Sequence, residues 1–220
     1  MQKNKMIWGG AKTMIEVKNI SLALNKRQIL NNVSLTLKEG NIYGLVGNNG
    51  SGKTMLMKCM CGFIRPTEGT VESNGKVIGR DVDYLPDAGV IIETPGFIPY
   101  YSGFQNLKVL AGIKNKISAK EIREAIQTVG LDPDLKLPVK KYSLGMRQRL
   151  GLAQAIMENP SVLILDEPMN GLDKNGVEEI RKLLLFMKDE RKIIVIASHN
   201  AEDIRVLCDE VHEMEQGELI

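Results

Sequence analysis

The sequence predicts an α/β fold: a parallel-sheet core of the P-loop type with an N-terminal antiparallel β subdomain and an inserted α-helical subdomain at about 97–158. Three observations carry this expectation. Strand-length apolar runs alternate with helical patterns in both halves of the chain, which implies a parallel sheet. The segment GNNGSGKT at 47–54 satisfies G-x-x-x-x-G-K-[ST] between an apolar run and a helical one. Residues 97–158 turn from strand-rich to helix-rich before the strand pattern resumes.

Taken in order, residues 1–13 read as a flexible N-terminal extension in which Trp8 lies among Gly, Lys and Asn, and 14–220 as one folded domain. IEVKNI at 15–20 and VSLTLK at 33–38 alternate apolar and polar residues, as half-buried strands do. IYGLVG at 42–47 is more continuously apolar, the mark of a strand covered on both faces. The glycine-rich loop follows, then a helix over 55–63, and the turn-rich stretch 65–79 reads as a short hairpin. GVIIET at 89–94 is another buried strand, broken by Pro95 and Gly96. Within the helical block, Ser118 and Glu121 form a capping box ahead of a helix over 122–131. Ser143 is placed to cap a helix over 144–158. A strand at 162–167 leads to a helix over about 174–189, where Val177, Ile180, Leu184 and Met187 recur at helical spacing. Glu178 and Lys182 on it are spaced as an i,i+4 pair. A strand at 193–197, a short helix near 200–207 and an alternating stretch at 209–219 complete the chain.

The 29 basic and 27 acidic residues nearly cancel, leaving a formal charge of +2, which gives no support to a nucleic-acid partner. Cys59, Cys61 and Cys208 fit no disulfide framework, and C-x-C without nearby partners is poor zinc spacing. They read as buried thiols of a reducing compartment. No run approaches the ~18 apolar residues that span a bilayer, and none near the N-terminus has signal-peptide length. The expectation is a cytoplasmic chain whose membrane role, if any, comes through a partner.

The 47–54 segment carries the first chemistry. Gly47, Gly50 and Gly52 let the backbone curl so that successive N–H groups, those of Asn48, Asn49 and Ser51 among them, face one anion. The helix start adds its positive dipole end. Lys53 would reach the β- and γ-phosphates, and the Thr54 hydroxyl would ligate Mg²⁺. Such a loop needs a carboxylate at the tip of a neighbouring strand, and VLIL at 162–165 ends in Asp166 and Glu167. Asp166 would hold the metal's shell, and Glu167 could accept a proton from attacking water. Two adjacent acids can also merely cap a strand, but a phosphate loop in the same chain favours the catalytic reading.

A second anion-friendly helix start lies in YSLGMRQR at 142–149. A capped amphipathic helix explains Ser143 and Arg147. It does not explain Gly145, which weakens a helix by up to ~1 kcal/mol relative to alanine. Together with the phosphate loop, VLILDEP at 162–168, NGLD at 170–173 and His199 in VIASHN, this segment resembles the signature of ATP-binding cassette (ABC) transporter ATPases over roughly residues 14–220. The resemblance implies one ABC ATP-binding domain that pairs head to tail with a second ATP-binding subunit, a copy or a paralogue, around two ATP and two Mg²⁺. It implies that Ser143 and Gly145 contact the γ-phosphate of ATP held by the other subunit. His199 would bond the γ-phosphate or the water, and Asp173 would lie in the turn meeting the opposite subunit; His212 reads as structural or surface.

Three departures from the family pattern stand out. Leu144 and Met146 replace the usual glycine and glutamine of the signature. Glu93 takes the place of a glutamine, and could ligate Mg²⁺ or position water, or simply end a strand in solvent. Leu24 stands where the family often stacks adenine on an aromatic. This version looks like the branch exporting bacitracin, lantibiotics and similar compounds. The resemblance then implies an ATPase at the cytoplasmic face of the membrane, peripheral through a permease; Phe97–Phe104 is the expected docking surface, although its aromatics beside Pro and Gly can also simply be subdomain core. A soluble ABC ATPase acting on ribosomes or DNA-repair complexes is a different reading, but it usually brings two cassettes, long coiled coils or a basic arm. A non-hydrolysing regulator is disfavoured by Lys53, Asp166, Glu167 and His199.

Overall fold

The computed structural model describes residues 14–220, so the expectations for 1–13 and for Trp8 lie outside the described residues. Strands β1 (Met14–Leu24) and β2 (Arg27–Lys38) pair antiparallel, turning through Asn25 and Lys26, both in the left-handed region. Strand β3 (Asn41–Val46) leads to helix α1 (Lys53–Cys61). The next hairpin, β4 (Glu68–Ser73) and β5 (Lys76–Val77), completes an antiparallel sheet in the order β2-β1-β4-β5.

The second sheet gathers strands from the whole chain. These are β3, β6 (Ala88–Ile91), β7 (Val162–Asp166), β8 (Ile193–Ala197), β9 (Glu210–Glu215) and β10 (Glu218–Leu219), in the order β10-β9-β3-β8-β7-β6. All neighbours pair parallel except β10 on β9. Between β6 and β7 come α2 (Gly103–Lys114), α3 (Ala119–Thr128), a 3-10 turn (Val139–Lys141) and α4 (Leu144–Ile156). Helices α5 (Lys174–Asp189) and α6 (Ala201–Leu207) complete the crossovers.

The unbroken apolar runs of the central strands follow from burial on both faces. Ile42, Leu163, Leu165, Ile194 and Ile196 point into a core shared with α2 to α6. Their sequence neighbours Tyr43, Leu45, Val162, Ile164, Ile193 and Val195 point the other way, onto α1 and the antiparallel sheet. Each such aliphatic side chain removed from water stabilises the fold by ~1.5–3 kcal/mol, so the strand tips that carry the site stand on strands buried on both faces.

The structure corrects several boundaries. Strand β6 stops at Ile91 instead of running to 94, because Glu93 takes φ 61° and Pro95 has no N–H for the ladder. The helical block starts with an irregular loop, and its first helix begins at Gly103. The buried Asn106 side chain pins this loop, accepting from Ile98 N at 2.7 Å and donating to Ile98 O and Ser102 O at 3.1 and 3.0 Å. Helix α3 starts directly after its cap at Ser118 and ends at Thr128, ahead of Gly130 at φ 77°, so it lies three residues before the expected span. Glu178 bonds Arg181 at 2.7 Å rather than Lys182, because Arg181 is the residue turned into the α5–α6 contact.

Candidate active site

The phosphate loop links β3 to α1 with Gly47, Gly50 and Gly52 at φ 139°, 82° and 113°, values that side-chain-bearing residues rarely adopt. The end of the chain fixes it from behind: Gly217 N donates to Ser51 O at 2.9 Å. Gly52 is the N-cap of α1, no side chain caps that helix, and no acid lies in its first turn. The first-turn amides are therefore left for an anion. Ser51 Oγ is buried with no partner, as a phosphate ligand would be. Asn48, Asn49 and Gly50 are exposed at the loop's tip. Lys53 is buried and folds back over the loop, donating to Gly47 O at 2.7 Å and Asn48 O at 3.1 Å.

Two carboxylates meet this loop from β7. Asp166 Oδ2 accepts from Thr54 Oγ1 at 2.9 Å, so the hydroxyl and the carboxylate named for Mg²⁺ are adjacent. No cluster of three or more His, Cys, Asp or Glu residues capable of holding a metal occurs among the described residues. A two-oxygen protein contribution suits Mg²⁺, which keeps waters and takes phosphate oxygens for the rest of its octahedron. The residues present thus fit Mg²⁺ brought with a nucleotide.

Glu167 follows in the left-handed region at φ 50°, and its amide donates to Ala197 O at 2.9 Å. Its Oε1 is buried without a hydrogen-bond partner, with His199 Nε2 3.4 Å away but outside bonding geometry. Burial raises its carboxyl above the usual carboxylate range; His199 opposes this and the neighbouring Asp166 charge adds to it. A half-desolvated carboxylate with a free oxygen, held beside a metal-type pair, can take a proton from water.

Helix α4 reaches the same place. Gln148 Nε2 donates to Glu167 O and Pro168 O, both at 3.0 Å, a brace that the sequence reading missed. Ser143 caps α4, its Oγ accepting from Met146 N at 3.1 Å. Gly145 has a cause inside the chain: a Cβ there would lie 2.9 Å from Gly171 O in the 170–173 turn. That turn ends at Asp173, whose Oδ1 accepts from Gly176 N at 3.0 Å and caps α5.

Glu93, Leu144, Arg147, Gln148, Asp166, Glu167 and Asn170 line one cleft of about 230 Å³. The phosphate-loop residues do not line it, and Ser143, Leu144, Asn170, Gly171 and Asp173 are exposed. Glu93 is bound to Lys58 at 2.6 Å. Lys58 also escaped the sequence reading, although it lies four residues after Thr54 and so on the same face of α1.

The other singled-out residues sit away from this centre. Leu24 is exposed at the end of β1. His212 stacks on Tyr43 with ring centroids 6.2 Å apart. Cys59 and Cys61 are buried and Cys208 half-buried, burial pushing their thiols up to about 11, about 12 and about 12. In 97–104, Phe97 and Phe104 pack on the core while Ile98, Tyr100 and Tyr101 are exposed.

Residues 30–170 match the family described as ABC transporter. The chain is 45% identical over 206 residues to the uncharacterized ABC transporter ATP-binding protein YybJ of Bacillus subtilis (strain 168), covering 94% of each. It is 40% identical over 209 residues to the bacitracin transport ATP-binding protein BcrA of Enterococcus faecalis, covering 94% of this chain and 68% of BcrA. It is 37% identical over 207 residues to the lantibiotic transport ATP-binding protein SrtF of Streptococcus pyogenes, covering 94% and 89%. Among solved structures, the dimeric bacterial ABC transporter cassette MJ0796 has the same fold, with TM-score 0.83 at 22% identity over 93% of this chain and 96% of that one.

Proposed function

This chain belongs to the ABC transporter family as an ATP-binding, ATP-hydrolysing subunit, and from that premise we propose that two copies, or one copy and a paralogue, close on two ATP·Mg²⁺ and drive a membrane permease. The permease exports a peptide antibiotic, a drug or a similar compound, in keeping with the transport named for BcrA and SrtF. The subunit works at the cytoplasmic membrane face through that permease, as the transport named for these relatives suggests; among the described residues no helix is long and apolar enough to cross a membrane. The single observation that carries the catalytic reading is the Thr54–Asp166 contact at 2.9 Å beside the uncapped start of α1.

In this reading the loop amides and Lys53 bind the β- and γ-phosphates, Lys53 exchanging its two carbonyl contacts for phosphate oxygens. Thr54 and Asp166 would hold Mg²⁺, which would neutralise charge on the transferring group. Glu167 takes the proton of the attacking water, and His199 bonds the γ-phosphate. Ser143, whose hydroxyl proton remains available to donate while its oxygen caps α4, and the backbone at Gly145 complete the site of the other subunit. The exposed Ser143, Leu144, Asn170, Gly171 and Asp173 form the contact face.

The test is Glu167→Gln. We expect it to bind ATP, lose multiple turnover and elute as a dimer only when ATP is present. Sustained hydrolysis by this variant, or a monomer at saturating Mg·ATP, would overturn the assignment.

A further inference from the structure

Behind the exposed His199 lies a buried chain of polar contacts that the proposed mechanism does not use. Arg181 on α5 is 5% exposed and Asp203 on α6 is 3% exposed. Arg181 Nε and Nη2 both donate to Asp203 Oδ1, at 3.0 and 2.6 Å. The other carboxylate oxygen, Oδ2, accepts from Ser198 Oγ at 3.3 Å. Ser198 Oγ in turn accepts from Asn200 N at 3.1 Å. Ser198 is itself buried, so the two residues flanking His199 are tied to an ion pair inside the protein while the imidazole between them is left exposed. Asn200 caps α6, its Oδ1 accepting from Glu202 N at 2.9 Å, which fixes the loop's far side to the helix that carries Asp203.

Stability alone is a poor reason for such a pair. Removing two charges from water is costly, and apolar side chains of similar volume usually serve a core as well. What an ion pair adds is direction: its bonds hold one geometry, and here the last bond ends on the backbone beside His199. The pair also spans the molecule's working parts. Helix α5 is capped by Asp173, in the exposed turn beside the α4 start, and β8, which precedes Ser198, supplies the carbonyl that holds the Glu167 amide.

We infer that Arg181, Asp203 and Ser198 are positioning residues for His199, holding the 198–200 loop so that the imidazole faces Glu167 and the γ-phosphate. This rests on the reading of His199 as a phosphate contact.

The test is a kinetic cycle on the full chain with Mg·ATP, starting from Ser198→Ala, which removes one small hydroxyl and leaves the ion pair in place. Misplacing a reacting contact by a fraction of an ångström is expected to lower kcat about tenfold. KM should stay within about twofold, because the phosphate loop is untouched. Ser198→Thr, which keeps the hydroxyl, should restore most of the rate. In a His199→Ala background, Ser198→Ala should cost nothing further. A Ser198→Ala enzyme with wild-type kcat, or one that slows His199→Ala by the same factor as it slows wild type, overturns this inference alone. A His199→Ala enzyme as fast as wild type overturns both the histidine's role and the chain built behind it.

Discussion

Gln148 is the residue through which the signature helix should act on catalysis within one chain. Gln148→Met keeps the side chain's length and removes both donors to Glu167 O and Pro168 O. A hydrogen bond of this kind contributes a net ~0.5–1.5 kcal/mol, so losing two costs about 1–3 kcal/mol. Glu167 O retains Asn170 N at 3.1 Å, which puts the loss there at the low end. For a chain of this size ~1 kcal/mol moves Tm by ~2–4 °C, so a loss of about 1–2 kcal/mol should show in thermal unfolding followed by circular dichroism as a drop of about 2–8 °C. The catalytic effect should exceed the stability effect. Glu167 sits at φ 50° without a glycine's freedom, and its brace on one side is gone, so the carboxylate drifts from the water it must reach. Phosphate release should show kcat falling about tenfold or more with KM nearly unchanged. A Gln148→Met protein with wild-type Tm and wild-type kcat would refute this reasoning.

Glu167 also makes a pH prediction. An acid whose folded pKa is raised contributes stability that is present below its unfolded pKa, ~4.3 for glutamate, and lost as pH rises through the folded value. The ionised, half-buried carboxylate therefore burdens the fold at neutral pH, and Glu167→Gln should have the higher urea midpoint there, the difference vanishing below about pH 4. The hydrolysis rate of the wild type should fall on the acid side at a pH above the usual carboxylate range. Lys58→Gln should raise the KM for Mg·ATP up to about fivefold at low salt, the most that a pair this exposed supports, by uncovering the Glu93 charge; adding Glu93→Gln should reverse it. Gly89→Ala would set a Cβ 1.9 Å from Ala155 O where β6 meets α4; a loss of at least ~1–3 kcal/mol is expected, read as a lower urea midpoint.

The central strands and the phosphate loop were legible because each announces itself within a few residues. Apolar runs such as VLIL carry no polar alternation since both faces of the sheet are covered. The Ser118 capping box was equally local, and the matching Ser102–Gln105 box of α2, at 2.9 and 3.3 Å, carried the same signal unread. What escaped depends on chain returning from far away. The early end of β6 follows from the left-handed turn at Glu93, whose partner Lys58 comes from a different element. Gly145 was read as a contact for the other subunit's γ-phosphate; that a Cβ there would also meet Gly171 O within the chain depends on the 170–173 turn, which comes from a later part of the sequence. Arg181 and Asp203 meet only because α5 and α6 pack together, and no spacing in the sequence foretells which of several neighbouring charges turns inward.

The claim that each ATP is shared between two chains can be tested by mixing two inactive proteins. Lys53→Ala spoils the phosphate loop and leaves the signature intact; Ser143→Arg spoils the signature and leaves the phosphate loop intact. Each alone should hydrolyse almost nothing. A mixed pair contains one site built from the sound half of each, so phosphate release should reappear on mixing and rise with the fraction of mixed pairs. If mixing restores no activity while wild-type protein turns over at a constant rate per molecule at every dilution, each chain holds a complete site of its own.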